Sequence, residues 1–228
     1  MLKKEKMIAI IIKIVAIIVS VYGMVQSFED MMFFTYFTNI SNLFIDVMLL
    51  ISLYYDIAYR KGQQCRKAQS LYIIKYMATL SITLTFFVYM LILAPTHETG
   101  FINAYLDNYA GSLCVHLINP LLAIIDFLIF DVDYECQNQH LFYAIIPPLT
   151  YMTFVIVLGQ CFFVRWRDSM MAPYNFLNYG AKTGWFGFDL SQMGSTTLGI
   201  GCFYMVVVLL LIFIALGKIF LRCKRKAH

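Results

Sequence analysis

Phe34-Thr35-Tyr36-Phe37-Thr38-Asn39-Ile40-Ser41-Asn42-Leu43-Phe44-Ile45-Asp46 opens the second long apolar run of this chain and carries what such runs normally avoid. Thr38, Asn42 and Asp46 are spaced by four, so on a helix they lie along one face. A polar stripe ending in a carboxylate is costly against lipid. It is tolerated facing a bundle interior or a wet cavity, and is therefore a candidate functional site. A later run carries Cys114-Val115-His116-Leu117-Ile118-Asn119-Pro120, with Asp126 beyond it. The two runs predict a polar pocket, and a candidate reaction centre, inside a membrane.

The bulk of the chain agrees with that setting. Its 228 residues are 61% hydrophobic and 13% charged, with a mean hydropathy of +0.74. Soluble domains are nearer half apolar and a quarter charged. A run of about 20 apolar residues spans a hydrocarbon core of roughly 30 Å. Six runs qualify, at about 7–25, 38–57, 71–94, 112–130, 141–164 and 197–221. Little remains outside them, so the expectation is a single all-α domain over residues 1–228, a bundle of six membrane helices with no soluble domain.

Lys and Arg orient it. Lys3, Lys4 and Lys6 precede the first run. Arg60, Lys61, Arg66 and Lys67 fill the second connection, and Arg222, Lys224, Arg225 and Lys226 follow the last run. With six crossings these regions share one side. The other side holds Glu29, Asp30, His97, Glu98 and Asp107, with Arg165, Arg167 and Lys182 as its cations. The positive-inside rule puts both termini in the cytoplasm of a multi-pass protein. The net charge of +4 follows from this asymmetry and calls for no nucleic-acid partner. The first run is longer than a usual signal-peptide core and lacks a clear cleavage site, so it reads as a retained anchor.

Cys65, Cys136 and Cys223 fall on the cytoplasmic side and are expected to be reduced. Cys114 and Cys161 fall near the outer ends of their helices. A bridge between them is one reading, and burial as small hydrophobes is the other. No metal or cofactor site is expected. The fifth connection, from about Arg165 to Thr196, holds Pro173-Tyr174-Asn175-Phe176-Leu177-Asn178-Tyr179-Gly180 and Gly184-Trp185-Phe186-Gly187-Phe188. It is too long for a tight turn and too aromatic for a solvated linker. It is expected to fold back at the outer interface, where Trp and Tyr concentrate.

Depth limits which polar groups can meet. Helices two and four both start outside, so Thr38 and His116 share the outer third of the membrane, His116 about one turn (roughly 6 Å) in. Asn39, Ser41 and Asn119 lie at similar depth. A hydroxyl beside an imidazole is the minimum for an activated nucleophile, and Asn or backbone N–H groups can stabilise an oxyanion. The blander reading has the hydroxyls bonded to their own backbone or to another helix and the histidine as a packing group. Lys75 and Asp126, both near inner ends, form a candidate structural pair, with snorkelling of Lys75 as the alternative. Asp46 lies near mid-membrane with no cation at its depth. Pro147-Pro148 can kink helix five.

These patches, Tyr36-Phe37-Thr38-Asn39-Ile40-Ser41-Asn42, His116 with Pro120, Asp126-Phe127-Leu128-Ile129-Phe130, Pro147-Pro148 and Pro173-Tyr174-Asn175-Phe176-Leu177-Asn178, resemble the bacterial branch of the androgen-induced gene family, which includes the androgen-dependent TFPI-regulating protein. The animal members are six-helix membrane hydrolases that cleave fatty acid esters of hydroxy fatty acids with a Thr nucleophile and a His. The resemblance implies Thr38 as nucleophile and His116 as base. The residues flanking Thr38 are more polar than in the animal members, and the interval from His116 to Pro120 is shorter. A related branch transfers acyl groups between lipids using a Cys, which makes Cys114 a rival nucleophile.

The reading that emerges is an integral-membrane lipid hydrolase of fatty-acyl esters in a bacterial cytoplasmic membrane. Asn39, Ser41, Asn42, Asp46, Asn119 and Asn175 are candidate substrate contacts, and Arg165 and Arg167 are candidates for a carboxylate or phosphate. Its expected partner is a membrane lipid or lipid-like ester. The competing class is a six-helix binding or transport protein that holds a small or lipidic ligand in the same pocket. A third reading is a structural protein with no pocket.

Overall fold

The computed structural model describes residues 3–60, 67–95, 97–98, 100–193 and 198–226. Lys61, Cys65, Arg66 and Thr196 lie outside the described residues. Among the described residues, six helices are long and apolar enough to cross a membrane. They are α1 (Lys3–Ser27), α2 (Phe37–Arg60), α3 (Gln69–Leu93), α4 (Phe101–Phe130), α5 (His140–Cys161) and α6 (Cys202–Lys226). The described chain is thus an all-α polytopic membrane protein. The fifth connection departs from an all-helical reading: it adds an antiparallel ribbon of β1 (Phe188–Met193) and β2 (Leu198–Ile200), with Phe188 opposite Ile200. Phe188 and Ile200, which pair, suit a pleated ribbon, but Asp189 and Gly199 within the strands weaken the sequence signal.

The helices depart from regularity in places that matter. α4 is interrupted at Asp107–Ala110, where Asn108, Tyr109 and Ala110 take positive φ. It resumes at about the position where the apolar run predicts a start. It then widens into a π-helical turn over Cys114–Ile118, with the Asn119 N–H reaching Cys114 O. Pro120 accounts for the widening. Its ring clashes with the carbonyl four residues back, that of His116, and an extra residue in the turn relieves the clash. α3 ends in a similar turn over Tyr89–Leu93, closed by the Ala94 N–H on Tyr89 O at 2.8 Å. In α5 the break falls at Ala144–Ile145, just ahead of Pro147-Pro148. The prolines sit in the first turn that follows, where a missing N–H costs nothing.

The chain divides into two compact units. In the first, Met1–Tyr143 with Gly217–His228, α1 packs against α2 and α4, and α3 against α2 and α4. Ala16, Ile45, Met48, Leu49, Ala78, Ile82 and Ala123 form its apolar centre. α1 and α4 meet backbone to backbone at Gly23 and Gly111: a Cβ on Gly23 would lie 2.8 Å from Gly111 O and from Cys114 Cβ. Small residues allow this approach between membrane helices. In the second unit, Ala144–Leu216, the connection folds back on α5. Tyr179 packs on Gly159 and stacks on Trp185, with ring centroids 5.2 Å apart. Burial pushes the Tyr179 phenol up. Asn178 Oδ1 accepts from the Met171 and Gly180 N–H groups.

Candidate functional site

The first unit gathers most of the predicted polar residues. Thr38 lies in the first turn of α2, half-buried. Its carbonyl accepts from Ser41 Oγ and from Asn42 Nδ2, both at 2.9 Å. Asn39 Nδ2 donates to Phe33 O at 2.8 Å, tying the start of α2 to the turn before it. Ser41 Oγ pairs with Thr85 Oγ1 of α3 at 2.8 Å. The spacing by four holds: Asn42 and Asp46 both face inward and are buried.

Asn42 is the hub. Its Nδ2 also donates to Val115 O of α4 at 3.2 Å. Its Oδ1 accepts from Asn119 Nδ2 at 2.8 Å and from Ser20 Oγ of α1 at 3.3 Å. One side chain therefore joins α1, α2 and α4 at the level of His116, and it links the first turn of α2 to the residue preceding that histidine. His116 is 9% exposed. It stacks on Tyr89 with centroids 3.6 Å apart and planes 11° from parallel. Both rings sit in π-helical turns, which recur at functional sites. Tyr89 is itself held by its hydroxyl, which donates to Ala104 O at 2.6 Å. Among the described residues His116 Nδ1 has no hydrogen-bond partner. Tyr89 and Ser20 were not legible as site residues, since an aromatic or a serine in an apolar helix carries no sequence signal of its own.

Other hydroxyls behave as membrane-helix hydroxyls usually do. Thr79 and Thr83 donate to the carbonyls of Lys75 and Thr79, four residues back. Cys114 and Cys161 are both unpaired, the first buried and the second exposed. Cys114 packs against Gly23 of α1.

The candidates on the fifth connection belong to the second unit. Arg165 Nη1 donates to the carbonyls of Gly159 and Val164, at 2.7 and 2.8 Å, and so closes the end of α5 as basic side chains often do. Arg167 is exposed in a tight turn. Asn175 Oδ1 accepts from the Phe176 N–H.

The Lys75–Asp126 pair is part of something larger. Lys13 Nζ lies 2.6 Å from Asp126 and 2.9 Å from Asp56. Lys75 contacts Asp126 and, at 2.5 Å, Asp131. Lys67 lies 3.4 Å from both Asp131 and Asp56. The contacts close into a ring of three lysines and three aspartates in strict alternation, with no net charge, at the predicted inner ends of the helices. Burial alone would raise the Asp131 carboxyl, but the ammoniums of Lys75, Lys67 and Lys13 override it and hold it at about 2. Lys224 stands beside the ring and donates to the carbonyls of Leu128 and Asp131. Lys13 was the overlooked signal: a lone lysine in an apolar helix requires a carboxylate partner.

Family models, curated proteins and solved structures were all compared with the chain, and none matches it.

Proposed function

We propose that this chain is an integral-membrane lipid hydrolase of fatty-acyl esters, such as fatty acid esters of hydroxy fatty acids, with Thr38 as nucleophile and His116 as base. The observation that carries the reading is the Asn42 amide, bonded at once to the Thr38 and Val115 carbonyls. It holds the hydroxyl-bearing turn of α2 against the turn that presents the imidazole. His116 takes the proton as Thr38 Oγ attacks the ester carbonyl, and the positive end of α2, at Thr38, favours the oxyanion. Collapse expels the alcohol, which receives the proton from His116. Water, activated by the same imidazole, then releases the fatty acid and restores the Thr38 hydroxyl. Tyr89 keeps the imidazole in one plane through both halves.

In this reading the site opens to the outer leaflet of a bacterial cytoplasmic membrane, with both termini in the cytoplasm. The lipid ester is the partner. The acyl-transfer variant with Cys114 is the weaker one, because Cys114 packs on α1. The binding or transport reading draws on the unpartnered Asp46 carboxyl, a polar group suited to a ligand at mid-membrane. A lipase-type fluorophosphonate probe separates these. Labelling that maps to Thr38 and vanishes in Thr38→Ala is the expected result. No labelling of folded protein, with no hydrolysis across a broad ester panel, favours the binding class.

A further inference from the structure

Below Asn42 on α2, Asp46 is 4% exposed, and among the described residues neither carboxyl oxygen has a hydrogen-bond partner of good geometry. Ser20 of α1 and Asn119 of α4 stand within hydrogen-bonding reach of it, and no charged group among the described residues acts on it. Four described lysines of the first unit are engaged elsewhere, Lys13, Lys67 and Lys75 in the inner ring and Lys224 on carbonyls. An isolated buried carboxylate is among the costliest groups a protein can hold.

The neighbouring amides say what resolves this. Asn42 Nδ2 faces two carbonyls, which accept and never donate, so the orientation of that amide is determined. Its Oδ1 then faces Asn119, which must present its nitrogen. Asn119 is fully buried, and its own Oδ1 is left without a donor. Ser20 has one hydroxyl hydrogen, and its bond to Asn42 Oδ1 at 3.3 Å uses it. Turning that hydrogen to Asp46 still leaves Asn119 Oδ1 unserved. Asn119 Nδ2 has a second hydrogen, within reach of Asp46, but neither it nor the Ser20 hydroxyl can serve Asn119 Oδ1, so the cluster is short of one donor at that oxygen.

We propose that Asp46 is a neutral carboxylic acid that gives its O–H to Asn119 Oδ1, and that this buried proton positions the site above it. The chain of donors runs from Asp46 to Asn119, from Asn119 to Asn42, and from Asn42 to the carbonyls of Thr38 and Val115. Without the proton, Asn119 gains by turning its nitrogen to the carboxylate. That sets its oxygen against Asn42 Oδ1 and breaks the link between α2 and α4. Asp46 is a positioning residue, not a catalytic one. The positioning role rests on the hydrolase reading; the proton does not.

Infrared difference spectroscopy of the full chain in nanodiscs tests the proton directly, with Asp46→Asn as the reference. The expected result is one protonated-carboxyl stretch at neutral pH that shifts in D2O and is missing from Asp46→Asn. No such band, or a carboxylate band together with thermal stabilisation by sodium that potassium does not give, overturns the proposal in favour of a charged group or a cation site. Turnover tests the positioning. Asp46→Asn retains a donor and should keep kcat within about threefold, whereas Asp46→Leu should lower kcat at least tenfold with less effect on KM. Equal losses in Asp46→Asn and Asp46→Leu overturn the positioning role. If the wild-type protein hydrolyses no ester, the hydrolase reading and its positioning clause fall, and the infrared band still decides the proton.

Discussion

Replacing Lys75 by Met tests the buried ring where it is most tightly coupled. Lys75 lies between Asp126 and Asp131. Its removal leaves two lysines facing three aspartates, of which Asp126 and Asp131 are buried. Deleting one partner of a buried pair costs about 3–5 kcal/mol, because the other charge stays desolvated. The structure supplies part of that figure. Burial raises the Asp131 carboxyl, yet Lys75, Lys67 and Lys13 bring it from 3.8 down to about 2. At about 1.4 kcal/mol per unit, that is roughly 2–3 kcal/mol of native-state preference for the carboxylate. Lys75 is the largest contributor among those cations, and Asp126 loses one of its two ammoniums besides. The sign fixes the pH window. A depressed carboxyl stabilises the fold above 3.8 and loses that contribution as pH falls toward 2. The wild-type protein should therefore weaken across that interval more than Lys75→Met does. The assay is unfolding of detergent-solubilised protein for Lys75→Met, Asp131→Asn and the double variant. The double variant leaves Lys13 and Lys67 against Asp56 and Asp126, in balance, so it should be more stable than the sum of the single losses by at least ~2 kcal/mol. Additivity within about 0.5 kcal/mol would refute the ring as an energetic unit.

Three further outcomes are expected. His116→Gln should lower kcat/KM for ester hydrolysis by about 10²–10⁴, the usual worth of a positioned base, and Thr38→Ala should abolish acyl-enzyme formation in a stopped-flow burst; unchanged turnover in either removes the dyad. Tyr89→Phe keeps the ring stacked on His116 and gives up one hydrogen bond, about 1 kcal/mol; Tyr89→Leu also gives up the stacking, so turnover should fall more in Tyr89→Leu than in Tyr89→Phe. Gly23→Ala places a methyl 2.8 Å from atoms of α4 and should cost about 1–3 kcal/mol by overpacking, read as a lower melting temperature, while Ala at Gly184, where nothing lies within 4 Å of the added methyl, should cost only its backbone strain.

The six spans were legible because each depends on its own residues alone. An unbroken apolar run of sufficient length has one favourable home, and a helix is the conformation that satisfies its backbone there. Their ends shifted by a few residues, and the π turn before Pro120 had a local cause. The ribbon at Phe188–Ile200 was missed, since its pairing joins two short segments with weak signals of their own. The burial of Asn42 and Asp46 on one face of α2 was also legible, from a spacing by four. Lys75 with Asp126 could be matched by depth.

What sequence alone determined is that six runs are long and apolar enough to cross a membrane, and where along each run its polar groups fall. The tertiary structure alone decided which groups at one depth touch. Asn42 meets Val115 O rather than His116, Lys13 closes a ring with residues from α2, α3 and α4, and Tyr89 lies flat on the imidazole. Contact between membrane helices depends on the rotation of each about its axis and on how closely neighbouring backbones approach. Here those are set by small residues such as Gly23 and Gly111 and by turns widened to five residues. Hydropathy records depth and is blind to rotation, because lipid is as apolar as the side chains that face it.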